Sequence, residues 1–250
     1  MKIKYIALLL SVCILLSCNK NNESVLLRLK YNKGDEQVFE LDENAIAGTY
    51  FSMHNQTEVS MIVDSVTNNG NSIVMTAYLK SVKSDTKTGE KIEHYDSNDK
   101  YSDMDEEALA LDKTLQEALH SYYSIEFNSR GEVTRPFSLA GKSVAAPVDA
   151  AKIQLIFPDE KVKVGYSWAG QPQTTFLSTT NTYTYTVTDI TKDNVIIHVD
   201  ANIQGFKSLT KDHKAEGEYV INKTNGRLIS SRLDMPVQTG GRVVLTVTAK

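Results

Sequence analysis

From Val25 onward, apolar and polar residues alternate over most of the chain, the period-two pattern of strands that bury one face and wet the other. Val25, Leu27 and Leu29 alternate with Leu26, Arg28 and Lys30 before the turn Asn32-Lys33-Gly34-Asp35. Val59, Met61 and Val63 form a second stripe, followed by Asn68-Asn69-Gly70-Asn71 and a third stripe at Ile73, Met75, Ala77 and Leu79. Asn-Gly favours a type I′ hairpin turn, because both residues tolerate positive φ. Later stripes are Tyr183, Tyr185 and Val187, then Ile197, Val199, Ala201 and Ile203. A further hairpin joins Glu218–Ile221 to Arg227–Ile229 across Thr224-Asn225-Gly226, and Val243, Leu245 and Val247 form a closing strand. One segment departs from this period. Met104, Ala108, Leu111, Leu115, Ala118 and Tyr122 recur at helical spacing, and Ser102-x-x-Asp105 resembles a capping box. These features predict an amphipathic helix over about residues 103–121, laid on a sheet.

The stripes also repeat. Shifting the chain by 124 positions places Val63–Thr67 over Val187–Thr191, and Ile73, Met75, Ala77 and Leu79 over Ile197, Val199, Ala201 and Ile203. Lys33-Gly34-Asp35 matches Val164-Gly165-Tyr166, and the turn after Phe127 matches the one after Ile221, in the same order at slightly different offsets. The expectation is a mainly β protein of two related, antiparallel, curved β-sheet lobes, with the helix inserted in the first. The N-terminal lobe is placed at 25–140, a connector at 141–158 and the C-terminal lobe at 159–250. The lobes either stand apart or share one core.

The N-terminus carries a different pattern. Lys2 and Lys4 precede the apolar run Ile6–Leu16, which ends in Leu15-Leu16-Ser17-Cys18. The run is far shorter than the ~20 residues that span a bilayer as a helix. Residues 1–17 therefore read as a lipoprotein export signal and Cys18 as the lipidated first residue, with 18–24 a polar tether. Removing residues 1–17 from 250 leaves 233 residues, and loss of Lys2 and Lys4 takes the formal charge from −4 to −6. The two cysteines, Cys13 and Cys18, are both consumed, so no disulfide or thiolate site remains. An acidic chain offers no footprint for nucleic acid, and no run of basic residues in the sequence adjoins the anchor. Asn19 stands where Asp favours inner-membrane retention, so the expected address is the outer membrane, on its periplasmic or its surface face.

Phe157-Pro158 followed by Val162-Lys163-Val164-Gly165-Tyr166-Ser167-Trp168 resembles the Phe-Pro…Val-x-Val-Gly-Asp-x-Trp signature of a family of uncharacterised, gut-type Gram-negative lipoproteins. Lys33-Gly34-Asp35 and the hairpin Gly217–Gly226 resemble two further motifs of that family. Tyr166 replaces the usual Asp, and Asn222 stands where Asp is common, which weakens any carboxylate site carried by those positions. The resemblance implies an exported, lipid-anchored β-protein of unknown activity. At the level of fold alone it implies a likeness to the half-open barrels of periplasmic lipoprotein carriers.

Candidate chemistry is sparse. His54, His94, His120, His198 and His213 are scattered, without metal-binding spacing. There is no nucleophile elbow, Ser-x-x-Lys or phosphate loop. Asp96-Ser97-Asn98 opens an acidic stretch running to Glu107, but Lys100 takes the next ligand position and the turn glycine and twelfth-position Glu of a calcium loop are missing. Trp168, the sole tryptophan, is either a stacking platform for a ligand or a packing residue under the sheet. The clustered tyrosines Tyr122-Tyr123 and Tyr183-x-Tyr185 either bind glycan rings or ladder along strands. Asp64-Ser65-Val66 fits a short O-glycosylation pattern. No catalytic residue, metal or cofactor is nominated. The expected function is a non-enzymatic, lipid-anchored envelope lipoprotein that binds a hydrophobic ligand or a protein partner. The alternative is a hydrolase of envelope or other polymers, using carboxylates that the sequence does not single out.

Overall fold

The computed structural model describes residues 23–143, 150–170, 182–203, 213–237 and 240–250. Its strands are β1 (Glu36–Ala47), β2 (Phe51–Thr67), β3 (Ser72–Thr88), β4 (Lys91–Asp96), β5 (Tyr123–Phe127), β6 (Val133–Leu139) and β7 (Lys142–Ser143) in the first half. The second half contributes β8 (Ser167–Gly170), β9 (Thr182–Ile190), β10 (Asn194–Ile203), β11 (His213–Asn222), β12 (Leu228–Val237) and β13 (Gly241–Ala249). The described α-helices are α1 (Glu106–Leu119) and α2 (Ala150–Ile153), and short 3-10 turns lie at Asn68–Gly70 and Tyr101–Asp103. Neither α-helix is long and apolar enough to cross a membrane.

All thirteen strands belong to one open antiparallel sheet, ordered β7-β6-β5-β3-β2-β1-β13-β12-β11-β10-β9-β8, with β4 added beside β3. The first and last long strands meet in the middle, where Phe39 pairs with Ala249 and Leu41 with Val247. Mainly β architecture, antiparallel pairing and curvature are as the alternation predicts. The two lobes are halves of a single sheet, and one core draws on both. Val59, Met61, Ile73 and Ile125 of the first half join Val187, Ile197, Tyr219 and Val247 of the second. The predicted β2–β3 turn has a four-residue loop, not a two-residue one. Thr67 pairs with Ser72, and Asn68, Asn69 and Gly70 all take positive φ.

The duplication extends to individual hydrogen bonds. Gly34 N–H donates to the Val63 carbonyl at 2.8 Å, and Val63 N–H returns to Asp35 at 2.9 Å. In the second half Gly165 N–H donates to Val187 at 2.8 Å, and Val187 N–H returns to Tyr166 at 3.0 Å. After Phe127, the Asn128 side chain accepts from the backbone of Arg130 and Glu132. After Ile221, the Asn222 side chain accepts from Thr224 and Asn225. A short polar side chain that mimics a backbone turn explains why Asn occupies both positions.

Each half opens with an irregular lead-in segment, and alternation misassigns the first of them as a strand. Val25–Leu29 is not a ladder strand. Its alternation is real, since Leu27 and Leu29 are buried and Leu26 is exposed, but its one strand-type pairing is a single bridge between Val25 and Val162. The segment lies within the core beside its counterpart, which buries Ile153, Leu155 and Phe157. Arg28 ties the two together, donating to the carbonyls of Pro158 at 2.7 Å and Asp159 at 2.9 Å. Irregular backbone in a core must find hydrogen-bond partners, and turns provide them: Leu29 N–H donates to Ser129 of its own half at 2.7 Å, and further bonds cross between the halves. Arg130 Nε donates to the Phe157 carbonyl at 2.8 Å, while Phe157 N–H donates to Arg130 at 2.8 Å. Reciprocally, Arg227 Nε donates to the Lys30 carbonyl at 3.1 Å, while Lys30 N–H donates to Asn225 at 2.9 Å. Arg227 also pairs with Asp35 and lies 4.2 Å from the centroid of the Tyr31 ring. Gly131 and Gly226 make this approach possible. Both have positive φ, and an added Cβ would lie 2.2 Å from the Leu155 carbonyl oxygen or 2.4 Å from that of Arg28.

Helix α1 forms inside the predicted 103–121 window but differs in its cap and its buried face. Asp105 is itself the N-cap, accepting from Ala108 N–H at 2.8 Å, whereas Ser102 lies in the preceding 3-10 turn. The helix is rolled so that Ala108 and Asp112 are buried and Leu111 is exposed, while Tyr122 lies beyond it and touches Tyr78. The cause is Tyr95 on β4, which is itself buried and whose hydroxyl needs an acceptor. Asp112 accepts from it at 3.0 Å and takes two further bonds from Gln116 at 2.8 Å. Those bonds outweigh desolvation and hold the Asp112 carboxyl below its usual range.

If the crosswise grip of turns on lead-in segments holds the core, Gly131→Ala and Gly226→Ala will each destabilise the protein by clearly more than Gly141→Ala. Gly141 also has positive φ but faces open space. We expect about 1–2 kcal/mol at Gly141 from conformation alone, and roughly 1–3 kcal/mol more at the other two from broken buried bonds. Urea unfolding midpoints decide this, and equal losses at all three positions would remove the grip from the account.

Candidate functional site

Residues that face away from the core form polar rows across the outer side of the sheet, because antiparallel pairing sets alternate residues of neighbouring strands side by side. One row runs His198, Glu218, Arg232, Thr246, Asp42, Gln56, Lys83 and Asp96, each directly opposite the next, from β10 to β4. In the first half the row is internally satisfied. Asp42 accepts from His54 at 2.9 Å and from Gln56 at 3.1 Å, and Lys83 pairs with Asp96 at 2.7 Å.

In the second half the same face carries a trough of about 340 Å³, lined by His198, Glu216, Glu218, Arg232, Asp234 and Thr246 among others. It crosses β10 to β13, over the point where Gly217 brings β11 close to β12. A Cβ at Gly217 would lie 2.2 Å from the Arg232 carbonyl oxygen, so this glycine marks a close backbone approach. Glu216 faces Asp234, and Glu218 faces Arg232. The side chains of Glu216, Glu218 and Arg232 make no hydrogen bond or close ion pair among the described residues, although the charge of Arg232 reaches Asp234 and that of Glu216 reaches Arg242. Asp234 differs, since hydrogen bonds and charge from Arg242 hold its carboxyl below the ordinary aspartate value. It is therefore ionised at neutral pH and unsuited to donating a proton. The trough thus presents three carboxylates, a guanidinium and an imidazole to solvent, a donor and acceptor set for polar, charged groups.

The sequence-nominated residues go elsewhere. Cys18 lies outside the described residues. Trp168 on β8 donates its indole N–H to the Ile156 carbonyl at 3.0 Å and packs 5.3 Å from the Tyr185 ring and 6.2 Å from Tyr166. It is partly buried against the core, so packing is the role its contacts describe. Tyr183 and Tyr185 stack 6.3 Å apart on β9, and Tyr185 meets Tyr219 edge-on. Burial of Tyr185 pushes its hydroxyl well above the ordinary tyrosine range.

Of the histidines, His54 pairs with Asp42, His94 with Asp85 at 2.6 Å, and His120 follows the end of α1. His198 is the outward residue between buried Ile197 and Val199, and enters the trough. His213 begins β11. The acidic stretch is taken up locally, with Asp96 on Lys83, Asp105 capping α1 and Glu107 on Lys91 at 3.0 Å. Among the described residues, no group of three or more His, Cys, Asp or Glu could hold a metal ion. Ser65 sits partly exposed beside a register shift in β2. Sequence reasoning noted His198 as one of five scattered histidines and missed the trough, because its members come from four strands.

Comparison with known proteins adds one finding. Residues 150–230, about a third of the chain, match a family of unknown function (DUF6263). The match runs from α2 through the second lead-in segment and into β12. No curated protein matches the chain.

The Asp234–Arg242 pair can be checked by titration. In Arg242→Met the Asp234 carboxyl should move up to the ordinary aspartate value of about 3.8. A depressed folded value contributes stability above about pH 4 that is lost as pH falls through it, so the variant should also lose less stability on acidification. Carboxyl NMR that finds Asp234 unmoved would mean the pair does not form in solution.

Proposed function

We propose that the chain is a lipid-anchored lipoprotein of the outer membrane, held through Cys18, whose β-body binds a protein partner through the outer trough of its second half. Uncommitted charge carries this reading. The side chains of Glu216, Glu218 and Arg232 stand without hydrogen bonds or close ion pairs among the described residues, whereas the same polar row in the first half is internally paired. A trough of about 340 Å³ is of ligand-binding size, and its open, charged lining suits a peptide segment with basic and acidic side chains.

The hydrophobic-carrier reading has less support. Its analogy needs an open concave face, and here Leu27, Leu29, Ile153, Leu155 and Phe157 lie within the core. A cavity beside Leu29, Phe39, Met75 and Ile153 measures about 10 Å³, room for no more than about one water. The lipoprotein reading itself rests on Lys2, Lys4, the Ile6–Leu16 run and the Leu15–Cys18 lipobox.

Two experiments test the two parts of the proposal. Cys18→Ser should shift the protein from the membrane to the soluble fraction, and retention in the membrane would defeat the anchor. Photo-crosslinkers placed at Glu218 and at Lys87, both on the same sheet face, should differ on intact envelopes. A discrete adduct at Glu218 that Arg232→Glu removes, absent at Lys87, supports the trough. Equal adducts at both positions, or none at Glu218, would overturn it.

A further inference from the structure

The turns at one end of the sheet gather charge that is dispersed in the sequence. Residues 23–35, 68–71, 128–132, 158–166, 191–193 and 222–227 meet there. The contacts that join them include Val25 to Val162, Leu29 to Ser129, Lys30 to Asn225, Arg28 to Asp159, Ser129 to Asn71 and Lys223 to Asp193. Together these segments hold nine Lys and Arg against six Asp and Glu, in a chain whose mature form carries −6.

Most of the acids are spent internally. Asp35 pairs with Arg227, Asp159 with Arg28 and Arg130, Glu132 with Arg130, and Glu23 with Lys223 at 2.5 Å. Glu160 accepts from the Tyr166 hydroxyl, and Asp193 is exposed. Lys30, Lys33, Lys161, Lys163 and Lys192 are exposed and have no ion-pair partner among the described residues. The opposite end, around the β3–β4 turn and the start of α1 that Lys91 and Glu107 bring together, has Glu90, Glu93, Asp103, Asp105, Glu106 and Glu107 against Lys87, Lys91 and Lys100.

The chain emerges at the basic end. Glu23 is held there by Lys223, and Val25 is bridged to Val162 between Lys161 and Lys163. Cys18 is five residues from Glu23, a reach of at most about 18 Å. A lipid on Cys18 would therefore keep this end near the headgroups, while exposed charges interact strongly only within about 8 Å at physiological salt.

We infer that the basic, turn-bearing end of the body docks against anionic phospholipid headgroups, so that the anchored protein stands with its acidic end away from the membrane. The inference rests on the anchored reading above. Each lysine near an anionic surface adds electrostatic attraction, and the tether removes most of the cost of encounter.

The test fixes the anchor independently of Cys18. Residues 19–250 contain no cysteine, and among the described residues the core and what packs on it begin at Val25. This chain, with an N-terminal hexahistidine tag, is tethered to vesicles carrying a nickel-chelating lipid. A dye on a single introduced cysteine, Thr224→Cys or Glu90→Cys, reports quenching by a membrane-surface acceptor. On vesicles containing phosphatidylglycerol, quenching at 224 should exceed that at 90 at least twofold. The excess should shrink on phosphatidylcholine alone, in 0.5 M salt, and when Lys161, Lys163 and Lys192 are changed to Ser.

Circular dichroism checks that the triple variant is folded, and Lys91→Ser with Lys100→Ser is the control. An excess that is indifferent to lipid charge and salt, or lost equally in the control, overturns the inference. Because the tag replaces the lipid, failure of the Cys18 anchor would show only in Cys18→Ser fractionation and would leave this result standing.

Discussion

A sheet that buries one face and never closes on itself must have its concave side filled. Here the filler is the chain's own irregular backbone, and that constrains everything else. Apolar side chains are the gain, about 1.5–3 kcal/mol for each of Leu27, Leu29, Ile153, Leu155 and Phe157 when fully buried. The liability is the peptide groups that travel with them. A strand satisfies these through its ladder, whereas a coil needs partners found one at a time. Leu29 N–H reaches Ser129, Lys30 N–H reaches Asn225, Phe157 N–H reaches Arg130, and Val25 bridges Val162. The turns that provide those acceptors use asparagine to hold their shape and glycine to come close enough. Arginine at each turn then grips the carbonyl side of the segment it receives.

This arrangement makes the duplication cooperative. Each half contributes a turn, and each turn holds the lead-in segment of the other half, through Arg130 on Phe157 and Arg227 on Lys30. With β1 paired to β13 as well, unfolding either half alone would strip acceptors from buried backbone in the other. The halves differ where one has been elaborated. In the first, β4 and α1 extend the sheet and cover it, fixed by the Tyr95–Asp112–Gln116 cluster. In the second, the outward row of charges lies open as the trough.

Much of the fold was legible because period-two alternation is a direct imprint of a half-buried sheet. The repeat was legible at an offset of 124 because Ile73, Met75 and Ala77 face the same core as Ile197, Val199 and Ala201. Val25–Leu29 shows the limit of that signal. Alternating burial arises whenever an extended segment lies on an apolar surface, whether or not a ladder partner exists. Helix α1 shows another limit, since a hydrophobic stripe placed Leu111 inward and could not anticipate that the Tyr95 hydroxyl would draw in Asp112. Neither the trough nor the basic end was legible, because each collects residues from segments far apart in sequence. A search for a basic run beside Cys18 finds none, yet Lys161, Lys163 and Lys192 reach the chain's exit through the Val25–Val162 bridge and the Glu23–Lys223 pair.

The same topology separates three surfaces that a single sheet face could not. The concave side is committed to the core by the lead-in segments. The turn end collects the lysines, because those segments and the β9–β10 and β11–β12 turns all emerge there. What remains for recognition is the outer face, and the first half has already spent its polar row on the Asp42, His54, Gln56 and Lys83 contacts. The trough over β10–β13 is then where charge is both exposed and unspent. A site there needs no cavity in the core and no rearrangement of the grip. It needs only that Gly217 let β11 and β12 approach as closely as they do, which ties the shape of the outer surface to one residue on the inner one.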